Sequence, residues 1–443
     1  VQEKPEPRQY ARSGVPKNEV TINVLPNRPP ARPRWLFVSC NFPADPERKV
    51  TAVYRRMGMF VEALRGLGTL DMLFFVEPDV AVDAESVERF RVRLADHWET
   101  DLRLQLCRRE LPAERGRVAH YLRGALSVHG QPQYEMTSGE RQLAAFEEAL
   151  GRRPDGLFLH RLNAAMPALR SRHSLPPIAF DLDDIEHRKF VRMLRQPPVW
   201  PGKRLGYSWL PALRRAERRA VRAARRTFVC SEEDRTYLAR WAGTAGVDVV
   251  PNATEIPPPP APASEPAMLF LGSFAYGPNQ AGVEWLLEQV WPRVRERLPE
   301  ARLLLAGPGS RERVGASPPE GVEALGFVSE LADAYGRARV ACAPILAGGG
   351  TRLKIVEAAA YGRPVVSTTL GAEGLDLREG EHLLLADDPD DFAAACVELL
   401  STPERCSRMG DAARAFVADH YDRAAIVDQV RDLLRGVAGT GEE

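Results

Sequence analysis

Short apolar runs recur along the whole chain, and their spacing is the strongest constraint on its fold. In the first half they are RWLFVSC (34–40), LDMLFFV (70–76), DGLFLH (155–160), PPIAFDLDD (176–184) and RTFVCS (226–231). In the second half they are AMLFLGSF (267–274), ARLLLAGPG (301–309), VEALGFV (322–328), RVACAPIL (339–346) and PVVSTT (364–369). Each is too short for a helix and apolar on both faces, and helical-period segments such as 50–65 separate them. That pattern predicts central strands of parallel sheets covered by helices on both sides. Only 80–139, polar and charged, gives no clear order.

The alternation is interrupted once, by IPPPPAPASEP at 256–266. Consecutive prolines continue neither a helix nor a central strand, and they form a semi-rigid spacer. The fold class predicted is therefore α/β, with two Rossmann-like domains whose parallel sheets face a central cleft. The first domain spans 35–255, the hinge 256–266 and the second domain 267–443, its last helix a candidate to pack back on the first domain. A length of 443 residues suits two cores rather than one. No internal repeat stands out. Ligands of such sheets bind beyond the carboxyl ends of the strands, so function is sought in the loops that follow them.

Composition excludes several classes. Sixty Lys and Arg balance sixty Asp and Glu, so the chain as a whole has no bias toward nucleic acid. No apolar run approaches the ~20 residues of a membrane-spanning helix. Residues 1–34 are rich in Pro and Arg, lack the apolar core of a signal peptide, and read as a disordered lead-in. Six scattered cysteines form no CxxC and have no histidines at ligand spacing. They read as free thiols in a reducing, cytoplasmic setting, with no metal site.

The strand 339–346 runs into AGGGT and a helix starting near Thr351. Glycines allow positive φ and close approach of a ligand, and the first N–H groups of a helix favour an anion. Gly348, Gly349, Gly350, Thr351, Arg352 and Lys354 thus make a candidate phosphate site; the alternative is a plain turn with an exposed Lys354–Glu357 ion pair. Leu353, Val356 and Ala360 share the face expected to pack on the sheet. Glu357 lies about 9 Å along the axis from Thr351. That is too far to oppose a phosphate and suited to accept hydrogen bonds from ribose hydroxyls. The stretch is neither GxxxxGK[ST] nor GxGxxG.

GGGTRLKIVEAAAYGRPVVSTTLGAEGL resembles the nucleotide-binding signature of glycosyltransferase family 4, the group 1 transferases with the GT-B fold. FLGSFAYGPNQAG, LLLAGPG, VEALGFVSELADAYGRARVACAPI and GEHLLLADDPDDFAAACVELL follow in family order, so the resemblance covers most of 268–421. The first half resembles the family only through VVPNATEIP and FVCSEED. The resemblance implies a nucleotide-diphosphate sugar held by the second domain, a saccharide or lipid-linked acceptor held by the first, and transfer with retention. It implies no cofactor or metal and no nucleic-acid partner. Of the family's two glutamates, spaced E-x7-E, the second matches Glu357 and the first falls on Gly349. Ser273 and Asn279, following Gly272, stand where the family carries Arg and Lys, which leaves Arg352 and Lys354 to meet the diphosphate. Base recognition through backbone points to Gly326, Phe327 and Val328.

On the acceptor side, DGLFLHR places His160 and Arg161 at a strand end. His160 is a candidate to orient the acceptor or take its proton, or else a structural histidine. Arg55 or Arg56, in the helix after the first strand, is a candidate for a phosphate or anionic acceptor, with Arg56 preferred. Asp181 and Asp183 imitate a DxD metal site, but with a phosphate site already present they are read as capping acids, Asp183 lining the acceptor cleft. LPALRRAERRAVRAARR (210–226) carries seven arginines against one glutamate. It is a candidate, over 211–226, to rest on anionic lipid through an Ala-rich face, or else a plain surface helix. The function predicted is a retaining glycosyltransferase of cell-surface polysaccharide or glycolipid synthesis. A GT-B nucleotide-sugar epimerase and a non-catalytic nucleotide-sugar-binding protein are the alternatives, the latter kept open by Gly349.

Overall fold

The structure is a computed structural model that describes residues 32–46, 52–111, 117–195, 199–261, 263–315, 317–347 and 353–437, together with the backbone of 20–22. Among these residues the first domain holds a sheet ordered β1-β4-β3-β2-β5-β6-β7-β8. Its strands are β1 (Val20–Ile22), β2 (Arg34–Ser39), β3 (Thr69–Val76), β4 (Leu102–Arg108), β5 (Gly156–His160), β6 (Ile178–Asp183), β7 (Arg226–Val229) and β8 (Val247–Val249). The second sheet is ordered β11-β10-β9-β12-β13-β14. It comprises β9 (Ala267–Leu271), β10 (Arg302–Ala306), β11 (Val322–Gly326), β12 (Val340–Ala343), β13 (Val365–Ser367) and β14 (Leu383–Leu385). Every pairing is parallel except β1 with β4.

The apolar runs become strands buried on both faces because successive side chains point to opposite sides. Trp35 and Phe37 of β2 enter one core, with Phe60, Phe158 and Phe228. Leu36 and Val38 enter the other, with Phe146, Phe180 and Val221. The second sheet is likewise sandwiched between two cores.

The helices that position the site are α1 (Ala52–Leu67), α2 (Arg117–Leu126), α3 (Glu186–Arg195), α4 (Leu210–Ala223), α5 (Gly277–Trp285), α6 (Leu353–Ala360), α7 (Pro403–His420) and α8 (Arg423–Arg435). Helix α8 crosses back: Ile426, Val427, Val430 and Leu434 join the core that α1 lines in the first domain. Where it crosses, the Thr254 N–H donates to the Tyr421 carbonyl (3.0 Å) and the Arg423 N–H to the Thr254 carbonyl (2.9 Å). The two connections between the domains therefore run side by side.

The Pro-rich hinge is strapped to the second domain. Prolines leave carbonyls without a ladder, and those must find donors. Buried Arg363 donates to Pro260 (3.0 Å) and Ala261 (2.9 Å), and Arg339 to Ser264 (2.7 Å).

Two sequence expectations change. The lead-in is not wholly unstructured, because Val20–Ile22 adds an antiparallel edge strand in register with Gln105–Cys107; residues 1–19 and 23–31 lie outside the described residues. The segment 80–139 supplies β4 and α2, whose polar residues mask the pattern. Gln105, for example, is buried in β4, donating to the Ala145 carbonyl.

Candidate functional site

The loop after β9 and the start of α6 meet at Gly272. A Cβ there would lie 2.7 Å from Asn279 Nδ2 and 3.2 Å from Lys354 Nζ, so the glycine makes room for both. Lys354 Nζ donates to Asn279 Oδ1 (2.9 Å) and sits over the Phe270 ring, 4.4 Å from its centroid. Asn279 Nδ2 donates to the Ser273 carbonyl (2.9 Å). Asn279 is buried and spends both ends of its amide on this brace. Asn279 thus holds Lys354 in place. Gly348, Gly349, Gly350, Thr351 and Arg352 lie outside the described residues.

Helix α6 is buried all round, between the second sheet and α7. Leu353, Val356 and Ala360 are buried, and so is every other side chain of the helix except half-buried Lys354. Its one acid, Glu357, is 5% exposed and forms an ion pair with Arg55 of α1, across the domain boundary. The Tyr335 hydroxyl lies beside it, and the Tyr335 ring stacks on Tyr361 (4.6 Å). Lys354 and Glu357, neighbours on the helix, thus turn to different partners, and the exposed pair between them does not form.

At β11, Gly326 has φ of 77°, which favours glycine. Its N–H donates to Ser310 Oγ (3.0 Å) and its carbonyl accepts from Gly307 N–H (2.7 Å). Gly326 thus spends its N–H and its carbonyl within the loop. Val328 is half-buried, and the Phe327 ring is exposed at the strand end.

Below the cleft, the first domain holds a buried charge network. Arg56 is 1% exposed, and its guanidinium donates to both Asp181 oxygens and to the Val250 carbonyl (2.7 Å). It is withdrawn from any acceptor. Periodicity did not separate the two: Arg56 is in phase with buried Phe60 and Leu64, but Arg55 is equally in phase with buried Met59 and Ala63. Arg55, passed over in favour of Arg56, is the one that reaches the second domain.

His160 is fully buried. Its Nδ1 shares a hydrogen with Ser39 Oγ (2.8 Å), and its Nε2 has no hydrogen-bond partner, lying 3.8 Å from Asp181. Burial, and then the Arg161 guanidinium, hold its pKa down at about 3. It is a neutral imidazole and a weak base. Arg161 pairs with Asp183, which also accepts from Cys230 Sγ (3.0 Å). Burial opposes the Asp183 charge, but Arg161 and Arg56 hold its carboxyl below the usual range. Burial raises Asp181 to about 6 against the pull of Arg56. Arg161 (φ 70°, ψ 159°) and Asp183 (φ 63°) both adopt backbone conformations that cost about 1–3 kcal/mol each in residues with side chains. The DxD carboxylates are thus matched by arginines.

A second interdomain clasp, which sequence reasoning missed, joins Arg192 of α3 to Glu373 through two hydrogen bonds. It closes a polar notch lined by Asp184, Lys189, Ser231 and Asp234. Helix α4 departs from expectation: Leu213, Ala216 and Ala220 are buried in the core, so its apolar face is not free for lipid. Arg214, Arg215, Arg218, Arg219 and Arg222 face outward.

Two parallel-sheet α/β domains facing a cleft, clasped by a returning C-terminal helix, constitute the GT-B fold. The solved structure of sucrose-phosphate synthase from Thermosynechococcus elongatus superposes with a TM-score of 0.65 at 19% identity, covering 92% of this chain and 99% of that one. The Anabaena protein HepE in complex with UDP superposes with a TM-score of 0.61 at 14% identity, covering 91% and 100%. Residues 265–402 match the family described as Glycosyl transferases group 1. Phosphatidyl-myo-inositol mannosyltransferase of Mycobacterium leprae is 33% identical over 183 residues, 40% of this chain and 48% of that protein. Its Mycobacterium tuberculosis counterpart is 32% identical over 210 residues, 44% and 54%. The matched stretch spans about half the length of these curated relatives.

Proposed function

We propose that this protein is a retaining glycosyltransferase. It moves a sugar from a nucleotide-diphosphate sugar held by the second domain to a saccharide or lipid-linked acceptor held by the first. The observation that carries this reading is the divergence of Lys354 and Glu357. Three positions apart on α6, Lys354, the proposed diphosphate partner, is held at the end of β9, and Glu357, the proposed ribose partner, lies at the domain boundary. The UDP complex of the HepE structure and the mannosyltransferase relatives support a nucleotide-sugar donor.

The state of three candidate bases supports the retention proposed. An inverting transfer needs a general base for the acceptor hydroxyl. His160 is buried with a pKa of about 3, and Asp181 and Asp183 are matched by Arg56 and Arg161. In the transfer proposed, the acceptor oxygen bonds to the anomeric carbon as the bond to the phosphate oxygen breaks. The hydroxyl proton passes to that departing oxygen on the same face. His160 and the strained Arg161–Asp183 pair shape the acceptor side, and the diphosphate charge is met by Lys354 and Arg352 with no metal. We place the reaction in the cytoplasm, in keeping with six free, buried thiols.

The test is a thermal-shift screen of nucleotide sugars, followed by NMR of the product's anomeric configuration. A ligand at 100 times its Kd stabilises by about 2.7 kcal/mol. Stabilisation by one donor class and a product of unchanged anomeric configuration are expected. No shift with any nucleotide sugar overturns the reading. Nucleotide release that needs no acceptor favours an epimerase.

A further inference from the structure

The first domain carries an apolar patch beside an all-cationic face. Helix α2 lies across the short helices Pro201–Leu205 and Gly206–Trp209. The Tyr121 hydroxyl donates to the Gly202 carbonyl (3.2 Å), and the Tyr121 ring stacks on Trp209 (5.2 Å). A Cβ on Gly124 would overlap the Trp209 indole, so the contact is close. This layer buries Gly124 and half-buries Tyr121 but leaves large apolar side chains outside. Leu122 and Leu126, one turn apart on α2, are 58% and 78% exposed, and Trp200 and Leu205 are each 54% exposed. Large exposed apolar groups on elements packed against one another suit an interaction surface.

Charge identifies the occupant. From 199 to 231 the chain carries nine Lys and Arg and one acid, Glu217. Glu217 is fully buried against His187. The outward side therefore presents Arg204, Arg215 and Arg218 with no acid of its own segment to match them. The rest of a chain of zero net charge carries the balancing acids. Leu and Trp side chains next to unbalanced arginines suit a surface that is apolar inside and anionic outside.

We infer that α2, residues 200–207 and the outer face of α4 form a docking surface for an anionic phospholipid bilayer. The apolar side chains of α2 and 200–207 enter the interface, and the arginines lie against the head groups. This differs from the lipid contact the sequence offered, in which the Ala-rich face of α4 would insert. Helix α3 precedes residues 199–209 in the chain and carries Arg192, which reaches Glu373 of the second domain. If the transferase reading holds, a lipid-linked acceptor is delivered at the cleft mouth; the docking itself does not depend on that reading.

The experiment is cosedimentation of the full chain with phosphatidylcholine vesicles, with and without phosphatidylglycerol, at low and high salt. Binding to the anionic vesicles at low salt is expected, with weak binding to neutral ones. Arg215→Glu with Arg218→Glu should lower anionic-vesicle affinity at least about tenfold, at ~1 kcal/mol per surface charge. Trp200→Ser with Leu205→Ser should lower it about tenfold through lost apolar burial. Both pairs should leave melting and nucleotide-sugar shifts unchanged. No binding of the unaltered chain to anionic vesicles overturns the inference. So does equal binding by both pairs, or a concentration-dependent dimer that the apolar pair disrupts in the absence of vesicle binding. Because no donor or turnover enters the measurement, its failure and that of the transferase reading are separate results.

Discussion

Arg55 of the first domain and Glu357 of the second form an ion pair across the cleft, 302 positions apart in sequence. The acid proposed to hold a ribose is thus paired with a cation from the opposite domain. On that proposal, donor hydroxyls and Arg55 compete for one carboxylate. Arg55→Ala should therefore lower the melting temperature of the free protein and enlarge the further rise produced by a nucleotide sugar. Glu357→Gln should weaken donor binding at least about tenfold, roughly 1.4 kcal/mol. Calorimetric titration reads both. Unchanged affinity in Glu357→Gln would remove the ribose role.

Lys354→Met retains the packing over Phe270 and deletes the cation. A lost charge-assisted hydrogen bond is worth about 1.5–3 kcal/mol, so nucleoside diphosphate should bind roughly 10- to 100-fold more weakly. Binding of the nucleoside alone should be unaffected. Equal losses for both ligands would place Lys354 away from the phosphates. Arg352→Ala combined with Lys354→Ala should abolish the diphosphate contribution, and unchanged donor binding in that pair would refute the assignment.

Arg56 and Asp181 form a fully buried pair, and removing one partner leaves an uncompensated charge. Arg56→Met should destabilise the first domain by about 3–5 kcal/mol, measured by urea unfolding. Arg56→Met with Asp181→Leu should recover most of that loss. A single variant as stable as the parent would contradict the buried network.

His160 titrates at 6.5 when unfolded and at about 3 when folded. Between those values the unfolded chain holds the extra proton. The histidine's contribution to stability is therefore present above pH 6.5 and falls away as pH drops toward 3. Asp181, raised to about 6, acts in the opposite sense over part of that window. The informative quantity is thus the difference between the parent and His160→Gln. That difference should be steeper for the parent on acidification, and parallel pH profiles would refute the burial of a neutral imidazole.

The sequence by itself determined a great deal. Parallel strands buried on both faces must be apolar throughout, so Trp35–Ser39 and Met268–Leu271 were legible as strands, and a proline run cannot lie inside either sheet. The helix spacing around Lys354 and Glu357 was legible too, because 3.6-residue periodicity is local. What only the tertiary structure decided are the relations between distant residues. Arg55 and Arg56 are adjacent and chemically identical, yet one spans the cleft to Glu357 and the other is buried with Asp181. Asn279 was legible as a donor-side candidate after the first strand of the second domain but not as the brace of Lys354. The Ala-rich face of α4 was legible as apolar, and packing alone settled that it faces the core, leaving the lipid-facing candidates on α2 and residues 200–207. Local periodicity fixes which side of an element is apolar. Which body covers that side, and which opposite charge completes each buried one, depends on contacts between segments hundreds of residues apart.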